Sequence, residues 1–151
     1  MLNITLYQPE IPPNTGNIAR LCAAFNLHLH LIHPLGFKVD EKAIKRSGMD
    51  YWHMVQITEW SSWDEYEKHL LDNNKNFYLF TTKTKKSYYH AKFQKDDTLI
   101  FGRETKGLPE SLLAKYQEKC LTIPMPNPEA RSLNLATCVA MVASGGIKQL
   151  A

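Results

Sequence analysis

Short apolar runs alternate along this chain with longer segments whose apolar residues recur at helical spacing. The apolar runs, rich in Ile, Leu, Phe and Tyr, predict strands, and turn-forming residues bound most of them. The predicted strands span residues 4–7, 27–32, 52–57, 76–81, 98–101 and 120–123. The predicted helices between and after them span residues 15–25, 40–46, 62–71, 109–116 and 133–150.

Three helix assignments rest on specific signals. Ile18, Leu21, Cys22 and Phe25 share one face of the first helix, as a helix packed on a core requires. Ser62 followed by Glu65 forms a capping box, in which the serine side chain closes the first turn. Proline suits a helix start, which places the beginning of the fourth helix at residue 109.

Strands separated by helices predict an α/β fold with a mostly parallel sheet and helices on both faces. We expect residues 1–151 to form one domain, because no linker or composition shift divides them. The chain lacks Gly-x-Gly-x-x-Gly after the first strand and also lacks a P-loop. A flavodoxin-like nucleotide-binding domain is therefore the disfavoured alternative.

Composition narrows the class of protein. The 151 residues are 44% hydrophobic and 22% charged, which is typical of a globular domain. The net charge of +3 permits an anionic partner without demanding one. Cys22, Cys120 and Cys138 are odd in number and widely spaced, so we expect reduced thiols. With no signal peptide and no bilayer-spanning run, we expect a cytoplasmic protein without membrane contact.

Three loop segments carry the candidate chemistry. They are residues 14–20 (NTGNIAR), 102–109 (GRETKGLP) and 123–135, which begin IPM and end RSLNL. Each follows an apolar run and combines Gly or Pro with an amide or charged side chain. Such loops let backbone groups approach a ligand closely, and loops after the strands of an α/β sheet are where ligands bind.

Together these segments resemble the SPOUT class of methyltransferases, and within it the small tRNA 2′-O-methyltransferases of the TrmL (YibK-like) family, which act on the ribose of the wobble nucleotide. The resemblance covers nearly the whole chain. Its matching segments are LNI at 2–4, YQPEIPPNTGNI at 7–18, GMDY at 48–51, FTTK at 80–83 and RSLNL at 131–135. Three ordered motifs are a far more specific signal than any one of them.

The resemblance implies a SPOUT fold with a C-terminal trefoil knot and a homodimer whose sites lie near the subunit interface. It also implies S-adenosyl-L-methionine as the cofactor, in a pocket that needs close backbone approach and apolar walls. Ile123 and Phe80 are equally expected as core residues. The cofactor-binding residues predicted from the match are Phe80, Gly102, Glu104, Ile123, Met125, Ser132 and Leu133.

The resemblance identifies Arg20 as the main catalytic candidate, with Asn14 and Ser132 beside it. Arg20 lies one turn after Asn17 on the first helix, so both can face the same cleft. Because Arg20 lies off the apolar stripe, the helix alone would make it an exposed, solvated arginine. Arginine is a poor general base, so phosphate clamping and alkoxide stabilisation are its more credible roles. Asn14 is as well explained as a helix N-cap, and Glu104 as a partner of Arg20, of a loop amide or of solvent.

Basic residues define the expected RNA contacts. Lys83, Lys85 and Lys86, followed by two tyrosines, suit single-stranded RNA, although a solvated loop explains them equally well. A second basic cluster is Lys42, Lys45 and Arg46, and a tRNA anticodon stem-loop could bridge both patches in a dimer. The residues predicted to contact RNA are Arg20, Lys83, Lys85, Lys86 and Arg131.

Two further features concern a possible metal site and the last helix. His28 and His30 share a strand face, but the chain nearby supplies no Cys or carboxylate to complete a metal site, so we expect none. Gly145 and Gly146 interrupt the last helix where relatives usually carry larger residues, at about 1 kcal/mol each against alanine. This departure bears on the expected dimer and leaves the three loops unchanged.

The sequence thus predicts an enzyme that methylates the 2′-hydroxyl of the wobble ribose, cytidine or modified uridine, in tRNA. The same chemistry on another RNA is one alternative. A non-catalytic RNA-binding module with the same fold is the other.

Overall fold

Six parallel strands form one sheet in the computed structural model, which describes residues 1–39 and 52–151. Their order across the sheet is β3-β2-β1-β5-β4-β6, so the central strands β1 and β5 come from distant parts of the chain. The strands are β1 (Asn3–Tyr7), β2 (His28–Ile32), β3 (Ile57–Trp60), β4 (Phe77–Phe80), β5 (Thr98–Phe101) and β6 (Cys120–Leu121).

Helices cover both faces of this sheet. One core cluster joins residues of α1 and α4 to one face, and a second cluster joins residues of α2 and α3 to the other. The predicted α/β fold with helices on both faces is therefore confirmed, whereas the trefoil knot stays a prediction. The helices in the described residues are α1 (Pro12–Phe25), α2 (Trp63–Asp72), α3 (Glu110–Lys115) and α4 (Leu135–Leu150).

Side chains of the central strand β5 alternate between the two cores. Leu99 and Phe101 belong to the cluster under α1 and α4, and Ile100 belongs to the cluster under α2 and α3. Every residue of this strand is buried, which explains why it reads as a continuous apolar run. None of the helices in the described part of the chain is long and apolar enough to cross a bilayer.

The strand predicted at residues 52–57 is wrong in position. Trp52–Met54 forms a 3₁₀ turn, and the strand begins at Ile57, which pairs with Leu29. Apolar content misled the prediction, because Trp52 and Val55 pack against the core without joining the sheet. Trp60 ends the strand, and its Nε1 donates to Nδ1 of His30 at 3.0 Å.

Helix boundaries shift where prolines or caps act. Helix α1 begins at Pro12, a turn earlier than predicted, because the first turn of a helix does not need the N–H that proline lacks. Ser62 caps α2 as predicted and accepts from the Glu65 backbone N–H at 3.2 Å. Helix α4 begins at Leu135, two residues later than predicted, because Asn134 is its N-cap.

The two glycines of α4 occupy different surroundings. A Cβ built on Gly146 would lie 2.6 Å from Cδ1 of Leu2 and 3.4 Å from Cδ2 of Phe93, whereas one on Gly145 would meet only Tyr88, at 3.5 Å. Gly146 therefore allows α4 to approach the start of β1 closely. This packing is a structural reason for a glycine whose presence weakens the helix itself.

Part of the expected structure lies outside the described residues. This applies to the helix at 40–46, to the basic cluster Lys42, Lys45 and Arg46, and to the GMDY match at 48–51.

Candidate active site

A cleft of about 520 Å³ opens at the carboxyl ends of β4, β5 and β6. Its walls are the loops that follow these three strands, the start of α1, and the segment that leads into α4. Since the carboxyl ends of parallel strands share one edge of the sheet, loops from distant parts of the sequence meet here. The three segments selected from the sequence all contribute to this one cleft, although residues 14–20 lie within α1 and only Asn14 of them reaches it.

All seven residues predicted for cofactor binding line the cleft, although their role in binding stays a prediction. Phe80 and Ile123 also belong to the buried core, so each of them is both a core residue and part of the cleft wall. The Phe80 ring stacks on Phe101 with the ring centres 4.8 Å apart. The seven are Phe80, Gly102, Glu104, Ile123, Met125, Ser132 and Leu133.

Gly102 is required by the chain itself. A Cβ at this position would lie 2.4 Å from the carbonyl carbon of Gly107 and 2.5 Å from the nitrogen of Leu108. The loop thus folds back over the end of β5, with Arg103 and Gly107 exchanging backbone hydrogen bonds of 3.2 and 3.0 Å. Gly107 adopts φ 64°, a left-handed conformation that favours glycine. Any side chain at residue 102 would force this loop away from the cleft.

The carboxylate of Glu104 is held by backbone N–H groups. It accepts from the N–H of Glu10 at 2.9 Å and of Ile11 at 2.8 Å, and from Nδ2 of Asn14 at 3.3 Å. Of the alternatives raised for Glu104, the loop amide is the one these contacts support. Glu104 thereby accepts from N–H groups just before α1, a helix whose N-cap residue makes no side-chain hydrogen bond.

The contact between these two loops is reciprocal. The carboxylate of Glu10 accepts from the backbone N–H of Thr105 at 3.1 Å and from its hydroxyl at 2.8 Å. These hydrogen bonds, with nearby Arg103 and Lys106, hold the pKa of Glu10 below its usual value. We call the paired contacts of Glu10 and Glu104 the loop clasp. It joins the loop after β1 to the loop after β5 and fixes one wall of the cleft.

Asn14 is not an N-cap, because it lies in the first turn of α1. Its side chain is buried, and its oxygen accepts from Nδ2 of Asn134 at 3.0 Å. Asn134 in turn uses its oxygen to accept from the Thr137 N–H at 3.3 Å and so caps α4. The two amides and the Glu104 carboxylate form a continuous hydrogen-bonded row along the cleft.

Arg20 lies elsewhere. It is exposed on α1, as is Asn17 one turn earlier, and the lining of the cleft includes neither residue. Asn17 and Arg20 lie on one exposed face of α1 that does not border this cleft in the described part of the chain, and the catalytic role of Arg20 stays a prediction. Any part that Arg20 plays in chemistry requires a substrate or a second subunit that reaches both places.

The predicted RNA contacts divide into two groups. Lys83 and Arg131 line the cleft, and Lys83 forms a 3.0 Å ion pair with Glu110 at the start of α3. Lys85 and Lys86 are exposed on the same loop as Lys83 but lie outside the lining. Arg131 and Ser132 are exposed in the segment before α4. The cleft therefore has a basic rim.

The sequence interpretation missed several residues of the cleft. Arg103 and Lys106 lie in the quoted loop beside Glu104, so the loop itself was the signal that could have found them. Cys138 gave no signal, since it read as part of an apolar helix face. Its thiol lines the cleft 3.8 Å from the carbonyl of Leu133, and burial raises its pKa.

The histidines have structural partners. His30 accepts from Trp60 at Nδ1, and its Nε2 lies 3.2 Å from Oδ1 of Asn3, which makes Nε2 the donor of a neutral ring. Its ring stacks on His28 at 4.0 Å. Within residues 1–39 and 52–151, no three His, Cys, Asp or Glu side chains are placed to share a metal ion.

Comparison with known proteins identifies the family. The model of the SpoU rRNA methylase family matches residues 1–144. This chain belongs to that family. A tRNA (cytidine(34)-2′-O)-methyltransferase of Escherichia coli (strain K12) is 42% identical over 151 residues, which cover 99% of this chain and 94% of the relative.

Two solved structures are similar to this chain in fold. One, described as structural insights into the 2-OH methylation of C/U34 on tRNA, superposes with a TM-score of 0.93 at 43% identity and covers 99% of this chain and 96% of its own. The SpoU methyltransferase AviRb from Streptomyces viridochromogenes, solved with AdoMet, has a TM-score of 0.86 at 20% identity and covers 99% of this chain and 58% of its own. At that identity the second likeness concerns the fold.

Proposed function

We propose that this SpoU family member transfers a methyl group from S-adenosyl-L-methionine to the ribose 2′-hydroxyl of the wobble nucleotide, cytidine or modified uridine, in tRNA. The observation that carries the proposal is the meeting of the start of α1 with the loops after β5 and β6 in one cleft, which all seven predicted cofactor residues line. The E. coli relative and the solved structure at 43% identity bear names for the same reaction.

The cleft fits the cofactor by size and chemistry. Its volume of about 520 Å³ lies within the usual range for small-ligand sites. Phe80, Ile123 and Leu133 provide apolar surface for an adenine ring. Exposed Ser132 and the backbone around Gly102 provide polar groups at its edge. When bound, the cofactor supplies an activated methyl group, and the chain supplies position and charge.

The residues of the chain divide the remaining work. Glu104 already accepts from three N–H donors, so we assign it the positioning of the α1 start beside the cleft rather than direct cofactor contact. Asn14 and Asn134 hold the α4 segment, which carries Ser132, against α1. Arg20 would stabilise negative charge on the attacking 2′-oxygen.

Arg20 and the cleft must meet in the working assembly. We propose a homodimer in which the exposed face of α1 reaches the substrate at a shared site. Phe25 on α1 and Met141 on α4 expose apolar surface that a protein contact could cover. We also propose that residues 1–151 act as one domain in the cytoplasm. Sedimentation velocity tests the dimer directly, and a monomer at assay concentration would contradict it.

The test of the function is transfer of label from S-adenosyl-L-methionine to total tRNA from a strain that lacks this protein. Label on the wobble ribose supports the proposal. Label on another RNA or another nucleotide moves the substrate and keeps the chemistry. Cofactor binding and transfer both absent, with RNA binding retained, would favour the non-catalytic RNA-binding module.

A further inference from the structure

The charges around the cleft are predominantly positive. Among residues 1–39 and 52–151, Lys83, Arg103, Lys106 and Arg131 line it, and Glu104 is the one carboxylate in the lining. A cleft lined mainly by cations attracts anions and repels cations, and low-dielectric walls strengthen the effect. The identity of the anion can be inferred by asking which of these charges are already engaged within the chain.

Several of these charges have partners. Lys83 pairs with Glu110 at 3.0 Å. Arg103 donates from Nε to the carbonyl of Gly107 at 3.1 Å, and its guanidinium lies over the Tyr7 ring, 5.4 Å from the ring centre. The Glu104 carboxylate accepts three N–H donors. These contacts orient the groups and hold the loops in place.

Lys106 and Arg131 differ from the others. Both are exposed at the cleft, and neither forms an ion pair with any residue in the described ranges. Lys106 belongs to the loop after β5, and Arg131 belongs to the segment before α4. Two loops tied by hydrogen bonds therefore each present to the same opening a cation that lies outside any ion pair of the described residues, although Lys106 is close enough to Glu10 to lower the pKa of that carboxyl. The loop clasp fixes the first loop, and the Asn14 to Asn134 hydrogen bond fixes the second.

The cofactor is a poor match for these two cations. S-adenosyl-L-methionine has a sulfonium and an ammonium against one carboxylate, so its net charge is positive. Extra cations at its pocket raise the cost of binding it unless an anion accompanies it. The RNA substrate brings such anions, because a phosphate flanks each side of the target ribose. Arginine grips phosphate through its planar fork, and lysine acts as a point charge.

We propose that Lys106 and Arg131 form a two-point clamp for the backbone phosphates that flank the methylated ribose. This inference rests on the proposed function and names how its site recognises RNA. The clamp places the ribose over the cleft, whose deeper apolar part is left for the cofactor. It reads the backbone and not the bases, so it contributes affinity and position for any sequence.

The test uses the full-length protein and the variants Lys106→Gln and Arg131→Gln. Binding of a fluorescein-labelled anticodon stem-loop RNA is measured by anisotropy over a range of KCl concentrations. Each variant should reduce the slope of log K against log salt by about 0.7 to 0.9, the value for one lost phosphate contact. Lys106→Arg should retain the wild-type slope. Lys95→Gln is the matched control. Lys95 is exposed just before β5, at the amino ends of the strands, whereas the cleft lies at their carboxyl ends.

A second measurement separates RNA from the cofactor. In methyl-transfer assays the two Gln variants should raise KM for RNA by a larger factor than they lower kcat, while their affinity for S-adenosyl-L-methionine, measured calorimetrically, is unchanged or higher. Slopes equal to wild type would overturn the clamp, as would weaker cofactor binding, which would assign the cations to the methionyl carboxylate. If wild type itself transfers no methyl group, the proposed function fails, and the salt slopes still decide whether these residues bind phosphate.

Discussion

The side-chain nitrogen of Asn134 donates to the side-chain oxygen of Asn14 at 3.0 Å and joins segments 120 residues apart. Because Asn14 also donates to Glu104, one amide links the start of α1, the loop after β5 and the start of α4. Each of these segments borders the cleft. The buried side chain of Asn14 thus ties the start of α1 to two other segments of the cleft wall.

Asn14→Asp should destabilise the protein and loosen the cleft. The change replaces the N–H donor to Glu104 by a second carboxylate, and an unsatisfied buried polar group costs about 1–3 kcal/mol. Urea unfolding measures the loss, and calorimetry measures the weaker binding of S-adenosyl-L-methionine. The control is Asn134→Asp, which removes the donor to Asn14 but keeps an oxygen that caps α4. Equal stability of Asn14→Asp and wild type would contradict the role given to this residue.

The two glycines of α4 should respond oppositely to alanine. Gly145→Ala introduces a Cβ at ordinary contact distance from Tyr88 and removes a helix-weakening glycine, so we expect a gain of up to about 1 kcal/mol. Gly146→Ala gives the same gain in helix propensity, but its Cβ must displace the buried Leu2 side chain. Thermal unfolding of both variants should rank Gly145→Ala above Gly146→Ala. The reverse order would show that α4 does not pack on Leu2 as described.

The free energy of unfolding should fall as the pH drops below about 6.5, the pKa of an unperturbed histidine. Burial, followed by the charges of His28, His69 and Lys75, lowers the pKa of His30 to about 3, against about 6.5 when unfolded. Between these values the unfolded chain binds a proton that the folded chain does not, so stability is fully present above pH 6.5 and declines toward pH 3. Between pH 6.5 and 5 the expected loss from His30 is about 2 kcal/mol.

His30→Gln tests the source of this pH dependence. Glutamine can accept from Trp60 and donate to Asn3 as the neutral ring does, but it does not titrate. Urea unfolding at pH 7 and pH 5 should show a smaller difference for the variant than for wild type. If the two proteins lose stability equally over this range, His30 is not the group responsible.

Removing the guanidinium of Arg20 should lower the rate of methyl transfer and leave the affinity for the cofactor unchanged. Arg20 lies outside the cleft lining, so Arg20→Ala leaves the proposed cofactor pocket intact. Loss of one group that stabilises a developing negative charge costs about 100-fold or more in kcat. Single-turnover transfer and calorimetric cofactor binding should therefore separate, with Arg20→Lys intermediate because it keeps charge but loses the fork. Near-normal turnover in Arg20→Ala would end this assignment.

The sequence predicted elements wherever local pattern determines structure. Strand β5 matched its predicted range because all of its residues are buried, and Ser62 capped α2 because that interaction spans only three residues. The strand at 52–57 failed because apolar content does not reveal which residues pair in a sheet. Glu10 with Thr105, and Asn14 with Asn134, lie far apart in the chain, so no local pattern could place them together.

In the site, too, local features were predictable from the sequence and contacts between distant residues were not. The loops that line the cleft were identified from the sequence, because Gly, Pro and polar residues mark them locally. The reason for Gly102 was not accessible, since it is the backbone of Gly107 and Leu108 that excludes a side chain there. The position of Arg20 outside the lining also required the three-dimensional arrangement of α1 against the sheet.

The most direct test of the proposed function uses tRNA from a strain lacking this protein, incubated with the enzyme and S-adenosyl-L-methionine carrying a deuterated methyl group. The tRNA is digested to nucleosides and analysed by mass spectrometry, with nuclease mapping of the labelled position. We predict deuterated 2′-O-methyl on the wobble cytidine or modified uridine, and none with Arg20→Ala. Deuterium on a base, or no deuterium in tRNA despite measured cofactor binding by the same preparation, would contradict the account.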